Sequence, residues 1–97
     1  MVRGNCLCGE ISFFVQEVAN MVFNCHCSRC QRAHAAAFST QLMAMPESLR
    51  FIKGEDKLSR FLFGDITRSF CCECGSRLFN SSKNYLSVCV SVLVDSK

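Results

Sequence analysis

The sequence predicts an all-β, mainly antiparallel domain interrupted by one short helix. Three observations predict it: two segments alternate apolar side chains with period two, turn-forming residues separate a series of short apolar pieces, and a single stretch favours helix. At 97 residues the chain fits one domain, 1–97, because two separate cores would each be too small to be stable. Hydrophobic residues make up 49 % of it and nine residues are Phe, enough for a core, although a domain this small is expected to need an added staple.

Ile11, Phe13 and Val15 alternate with Ser12, Phe14 and Gln16, which predicts a strand with one buried face. Shorter strands are predicted at Val22 to Asn24, Ser39 to Met45, Leu49 to Lys53, Leu58 to Phe63, Thr67 to Phe70 and Arg77 to Phe79. Gly54, Gly64-Asp65, Gly75 and Asn80-Ser81-Ser82 read as the turns between them. Leu86, Val88, Val90, Val92 and Val94 alternate again and predict one closing strand. That stretch, broken by Ser87 and Ser91, is too short to span a bilayer. The helix is expected from Ser28, as its cap, through Arg29, Cys30, Gln31, Arg32, Ala33, His34 and Ala35. Phe13, Phe14, Phe51, Phe61, Phe63, Phe70 and Phe79 all fall on predicted strands, which suits a core better than a base-stacking platform.

Eight of the nine cysteines fall in three clusters, Cys6-Leu7-Cys8, Cys25-His26-Cys27-Ser28-Arg29-Cys30 and Cys71-Cys72-Glu73-Cys74-Gly75, and seven of them, all but Cys72, have ligand spacing. The amino terminus MVRGNCLCGE has no apolar signal region, so a reducing cytoplasm is expected, where such spacing reads as metal binding rather than disulfides. Cys71 and Cys74 form a Cys-x-x-Cys knuckle with Gly75 behind it, and a tetrahedral zinc needs two further soft donors, which Cys6 and Cys8 can supply. Such a site would close a long loop and serve as the staple. Cys25, Cys27 and Cys30 offer three thiolates with no obvious fourth cysteine, the pattern of a reactive zinc with an open position. His34 is the alternative fourth ligand, which would make that site structural; His26, between two cysteines, is expected to point away. Cys72 and Cys89 are expected to be spectators, Cys72 being the spare ligand.

Thiolate binding also changes the electrostatics. The formal charge of +3 disappears once one zinc is held by four thiolates and another by three, so the case for nucleic acid as a partner is weak. Arg29 and Arg32 share a helix face beside the open site and either bind a carboxylate or form an ordinary solvated face. Redox use of Cys71-x-x-Cys74 lacks the βαβ context expected of it.

These residues resemble the glutathione-dependent formaldehyde-activating enzyme family, which includes centromere protein V. GNCLCGEISF is similar to the family's opening Gly-x-Cys-x-Cys-Gly segment, CHCSRCQRAHAAAF to its Cys-x-Cys-x-x-Cys segment and helix, and SFCCECGSRLF to its Phe-Cys-x-x-Cys-Gly-x-x-x-Phe knuckle. With VSVLVD similar to a late strand, the resemblance runs from Gly4 to about Asp95. It implies a folded-ribbon domain of the β-tent type with two zincs and a short helix after the Cys-x-Cys-x-x-Cys segment. Cys6, Cys8, Cys71 and Cys74 match the structural zinc site; Cys25, Cys27 and Cys30 match the catalytic one. The implied activity is that of a carbon–sulfur lyase adding glutathione to formaldehyde to give S-hydroxymethylglutathione. Glutathione would then be the small-molecule partner, with no membrane involved. Two departures bear on function: Ala35 stands where the family usually has glycine and is expected to crowd the middle site, and the chain stops at Lys97 where members commonly continue. The competing reading is a non-catalytic zinc-binding module for a protein or nucleic acid, which a fourth protein ligand at the middle site would favour.

Overall fold

Alternation around Phe13 organises the core. In the computed structural model, which describes residues 1–94 (Asn20 by its backbone alone), the chain forms ten strands and one α-helix. Asp95, where the resemblance ends, and Lys97, the end of the predicted domain, lie outside the described residues. Strands β1 (Val2–Asn5), β2 (Ser12–Val15), β5 (Arg50–Lys53) and β10 (Leu93–Val94) make one sheet in the order β10-β1-β2-β5. The second has the order β3-β4-β9-β8-β7-β6, from β3 (Glu17–Cys25), β4 (Ser39–Ala44), β6 (Leu58–Phe63), β7 (Ile66–Cys71), β8 (Arg77–Ser82) and β9 (Tyr85–Cys89). The strand pairings BETWEEN neighbours in both sheets are antiparallel.

Ile11, Phe13 and Val15 are fully buried against Leu78, Phe79, Leu86 and Val88, so the predicted inward face of the β2 region faces the second sheet. Phe13 meets Phe79 edge to face, with ring centroids 5.7 Å apart, and Phe51 packs 6.4 Å from both. No helix among the described residues is long and apolar enough to cross a membrane.

Three sequence expectations change. The predicted closing strand ends at Cys89; a 3-10 turn over Val90–Val92 carries the chain to the other sheet, where Leu93 and Val94 pair with β1. Period two is the same before and after such a crossover, so alternation does not detect it. Asn80-Ser81-Ser82, read as a turn, belongs to β8, where all three pair with β9 and the buried Asn80 amide donates to Gln41 Oε1 at 3.2 Å. Strand β1 went unpredicted, since Val-Arg-Gly-Asn has too little apolar character to announce a strand.

The helix α1 spans Ser28–His34, but its N-cap is Cys27 rather than Ser28: the Cys27 sulfur accepts from the Cys30 backbone N–H at 3.4 Å. It ends at Ala35 with φ 51° and ψ 45°, the left-handed conformation that glycine adopts most easily. Ala35 is exposed, so its departure from the family pattern strains the backbone locally rather than crowding a site. Ala35→Gly is therefore expected to stabilise the fold by about 1 kcal/mol. Urea denaturation checks this, and a lower midpoint would contradict the strain.

Candidate metal centres and the adjoining cavity

Cys6 and Cys8 lie in the turn after β1, Cys71 ends β7, and Cys74 follows it in the knuckle where Gly75 has φ 77°. Folding brings the four sulfurs within 4.8 Å of one another. Cys6 Sγ is 3.6 Å from Cys8 Sγ, which is 3.8 Å from Cys71 Sγ. A tetrahedron with zinc–sulfur bonds of about 2.3 Å has edges of about 3.8 Å, so the donor set fits zinc. Backbone N–H groups of Ile11, Glu73 and Cys8 point at Cys6, Cys71 and Cys74 at 3.2, 3.4 and 3.5 Å, which favours the thiolate forms.

The protons are unevenly shared. Cys74 is pulled down to about 6, chiefly by the Ser76 hydroxyl 3.1 Å away. For Cys8 a backbone hydrogen bond at Glu10 favours the thiolate, but lost hydration and the neighbouring sulfurs of Cys6, Cys74 and Cys71 push it up to about 12. Four thiolates at these distances would be stable together only with a cation among them.

The second group combines Cys25 at the end of β3 with Cys27 and Cys30 at the start of α1, again with sulfurs within 4.8 Å of one another. Cys25 and Cys27 Sγ are 3.5 Å apart, close enough to share a metal. The Cys30 N–H, followed by the Cys25 thiol, lowers Cys27 to about 7, whereas burial raises Cys30 to about 11 despite Arg68. Cys30 is only 4 % exposed and is held by side chains from two strands: Gln41 Nε2 lies 3.6 Å from its sulfur and both Arg68 amino groups lie 3.9 Å away. Gln41 is fixed in turn, donating to Ser39 Oγ at 3.2 Å and accepting from Asn80 and Ser87.

Among the described residues no fourth His, Cys, Asp or Glu ligand atom joins this group. His34 is not in it; its Nε2 is buried without a hydrogen-bond partner among the described residues, and burial, then Arg68 and Arg77, lower its pKa. His26 packs against Phe38, with tilted rings whose centroids are 5.0 Å apart. All nine cysteines are free of disulfides, and neither exposed Cys72 nor buried Cys89 belongs to either sulfur group.

Beside Cys30 opens a cavity of about 510 Å³ into which Arg29 and Arg32 of α1, Arg68 of β7 and Arg77 of β8 project. No acidic residue lines it. Its aromatic wall is Phe61, Phe63 and Phe70. This corrects the core expectation: Phe61 is 56 % and Phe63 50 % exposed, and Phe14 is also exposed. Alternation told which residues share a face, but β6 is the sheet's edge, where the described residues leave Phe61 and Phe63 half exposed. Arg68 and Arg77 were missed as site residues. The available signal was Arg68 two residues before Phe70 on one strand, hence on one face with it.

The fold is thus an antiparallel β-domain with two cysteine groups that could hold metal, the second of them contacted by an arginine that lines a cationic cavity. The profile of the family described as glutathione-dependent formaldehyde-activating enzyme matches residues 1–96, and the chain belongs to that family. A crystal structure of a Rhodobacter sphaeroides protein has a similar fold, with TM-score 0.81 and 24 % identity over 97 % of this chain and 91 % of that one. No curated protein matches the sequence significantly. Family membership links the chain to formaldehyde activation with glutathione in general.

Proposed function

We propose that the chain is a zinc-dependent carbon–sulfur lyase-like enzyme, a single zinc-binding domain that promotes addition of glutathione to formaldehyde to give S-hydroxymethylglutathione. One observation supports this most: four guanidinium groups and no carboxylate line a cavity whose Arg68 touches Cys30. Glutathione carries two carboxylates and one thiol, and that cavity offers planar donors for the first beside a cysteine cage for the second.

In this reading Cys6, Cys8, Cys71 and Cys74 hold a structural zinc, and Cys25, Cys27 and Cys30 hold a reactive one. Zinc at the second site supplies a Lewis acid that lowers the pKa of a thiol nearby. Arg29 and Arg32 bind and orient the acidic peptide. Arg68 lies between the cavity and the Cys30 sulfur and offsets negative charge there. In the reaction a carbon–sulfur bond forms, the carbonyl double bond opens, and the thiol proton ends on the former carbonyl oxygen. A cytoplasmic setting suits it, since glutathione and the cysteines stay reduced there.

The test is NMR exchange between formaldehyde plus glutathione and their adduct. Wild-type protein is expected to accelerate exchange well above the spontaneous rate, and Arg32→Ala to weaken glutathione binding by about tenfold. Spontaneous-rate exchange by protein shown to carry two zincs would refute the assignment.

A further inference from the structure

The aromatic side of the cavity exceeds what the proposed reaction requires. Formaldehyde has no substituent, and glutathione is polar along its length, so neither has apolar surface to cover Phe61, Phe63 and Phe70. Yet Phe61 and Phe63 stand nearly parallel on one face of β6, at 13° with centroids 6.4 Å apart, and both are at least half exposed. Edge strands are usually blunted with charge, and single exposed apolar residues are ordinary, whereas two parallel rings lining one cavity offer a ligand a shared apolar surface.

The cations are mounted on the same wall. The Arg29 guanidinium carbon lies 4.7 Å over the Phe63 ring, and that of Arg77 lies 4.7 Å over Phe70. A ligand there meets positive charge and apolar surface side by side. Phe61 also pairs across the strands with Arg68, which contacts the Cys30 sulfur, so the aromatic wall adjoins the arginine that links the cavity to the cysteine group.

We propose that, besides formaldehyde, the site takes an aldehyde bearing an apolar, planar substituent, giving its hemithioacetal with glutathione, with the substituent resting on Phe61 and Phe63. This rests on the reading of the cavity as an acidic-thiol site. The bond changes are unchanged: sulfur bonds to the carbonyl carbon, the double bond opens, and the thiol proton passes to the carbonyl oxygen, with no oxidant or reductant.

Stable thioethers isolate the substituent's effect. Calorimetry on the zinc-loaded protein compares S-benzylglutathione with S-methylglutathione, in wild type, Phe61→Ala and Phe63→Ala; both positions are exposed enough to tolerate truncation. The benzyl compound is expected to bind wild type at least about tenfold tighter, with the ratio falling toward one in each variant. Equal affinities in wild type would overturn this inference while leaving the glutathione reading intact. A benzyl preference that survives both truncations would overturn the assignment to this wall. Failure of both compounds to bind while glutathione itself binds would overturn this inference alone, and failure of glutathione as well would overturn the glutathione reading with it.

Discussion

Cys74→Ser is expected to leave the protein unfolded, or to lower its thermal midpoint by tens of degrees, while Cys27→Ser lowers it far less. The proposed four-cysteine zinc links residues as far apart as Cys8 and Cys74, which lie 66 positions apart in the chain. It also ties the turn beyond β1, in one sheet, to the knuckle beyond β7, in the other. Apparent binding free energies of structural zinc run to roughly 10 to 16 kcal/mol, as large as the roughly 5 to 15 kcal/mol that separate folded from unfolded domains. Removing one ligand therefore endangers the whole fold. The Cys25, Cys27 and Cys30 group spans six residues and closes no long loop, so a metal there would add less to global stability. Native mass spectrometry, expected to give two zincs in wild type and one in Cys27→Ser, combined with circular dichroism melts checks this. Equal collapse of the two variants would contradict the division into structural and reactive sites.

The same Cys27→Ser variant should lose all acceleration of glutathione–formaldehyde exchange while remaining folded. Cys27 has two roles in the geometry: its sulfur sits 3.5 Å from that of Cys25, and it caps α1 by accepting from the Cys30 N–H. Serine can preserve the cap, because a hydroxyl oxygen accepts the same bond, but it is a poor replacement for a soft thiolate ligand. Activity and helix integrity thus separate in this one substitution. Arg68→Ala is expected to cut kcat/KM by about tenfold to a hundredfold, because it removes both a cavity cation and the charge facing Cys30. Exchange kinetics by NMR, with zinc content measured on the same samples, provide the readout. A Cys27→Ser protein that still accelerates exchange would remove the three-cysteine group from the mechanism.

The amino-acid sequence by itself determined the local parts of this protein. Two or three cysteines within a few residues are placed by a handful of backbone angles, so Cys6/Cys8, Cys25/Cys27/Cys30 and Cys71/Cys74 were legible as candidate donor groups from spacing alone. The same holds for the buried face of Ile11, Phe13 and Val15 and for the short helix beginning near Ser28. Only the tertiary structure decided what surrounds the sulfurs. Gln41, Arg68 and Asn80 look like unremarkable strand residues until the order β3-β4-β9-β8-β7-β6 carries them to Cys30 and its support, 11 to 39 positions away along the chain from their partners. Nor could alternation distinguish Phe13, covered by a second sheet, from Phe61 and Phe63, which belong to an edge and line a cavity. Periodicity records which side chains share a face, whereas burial depends on what the rest of the chain lays against that face, and that is set by strand order and the crossover after Cys89.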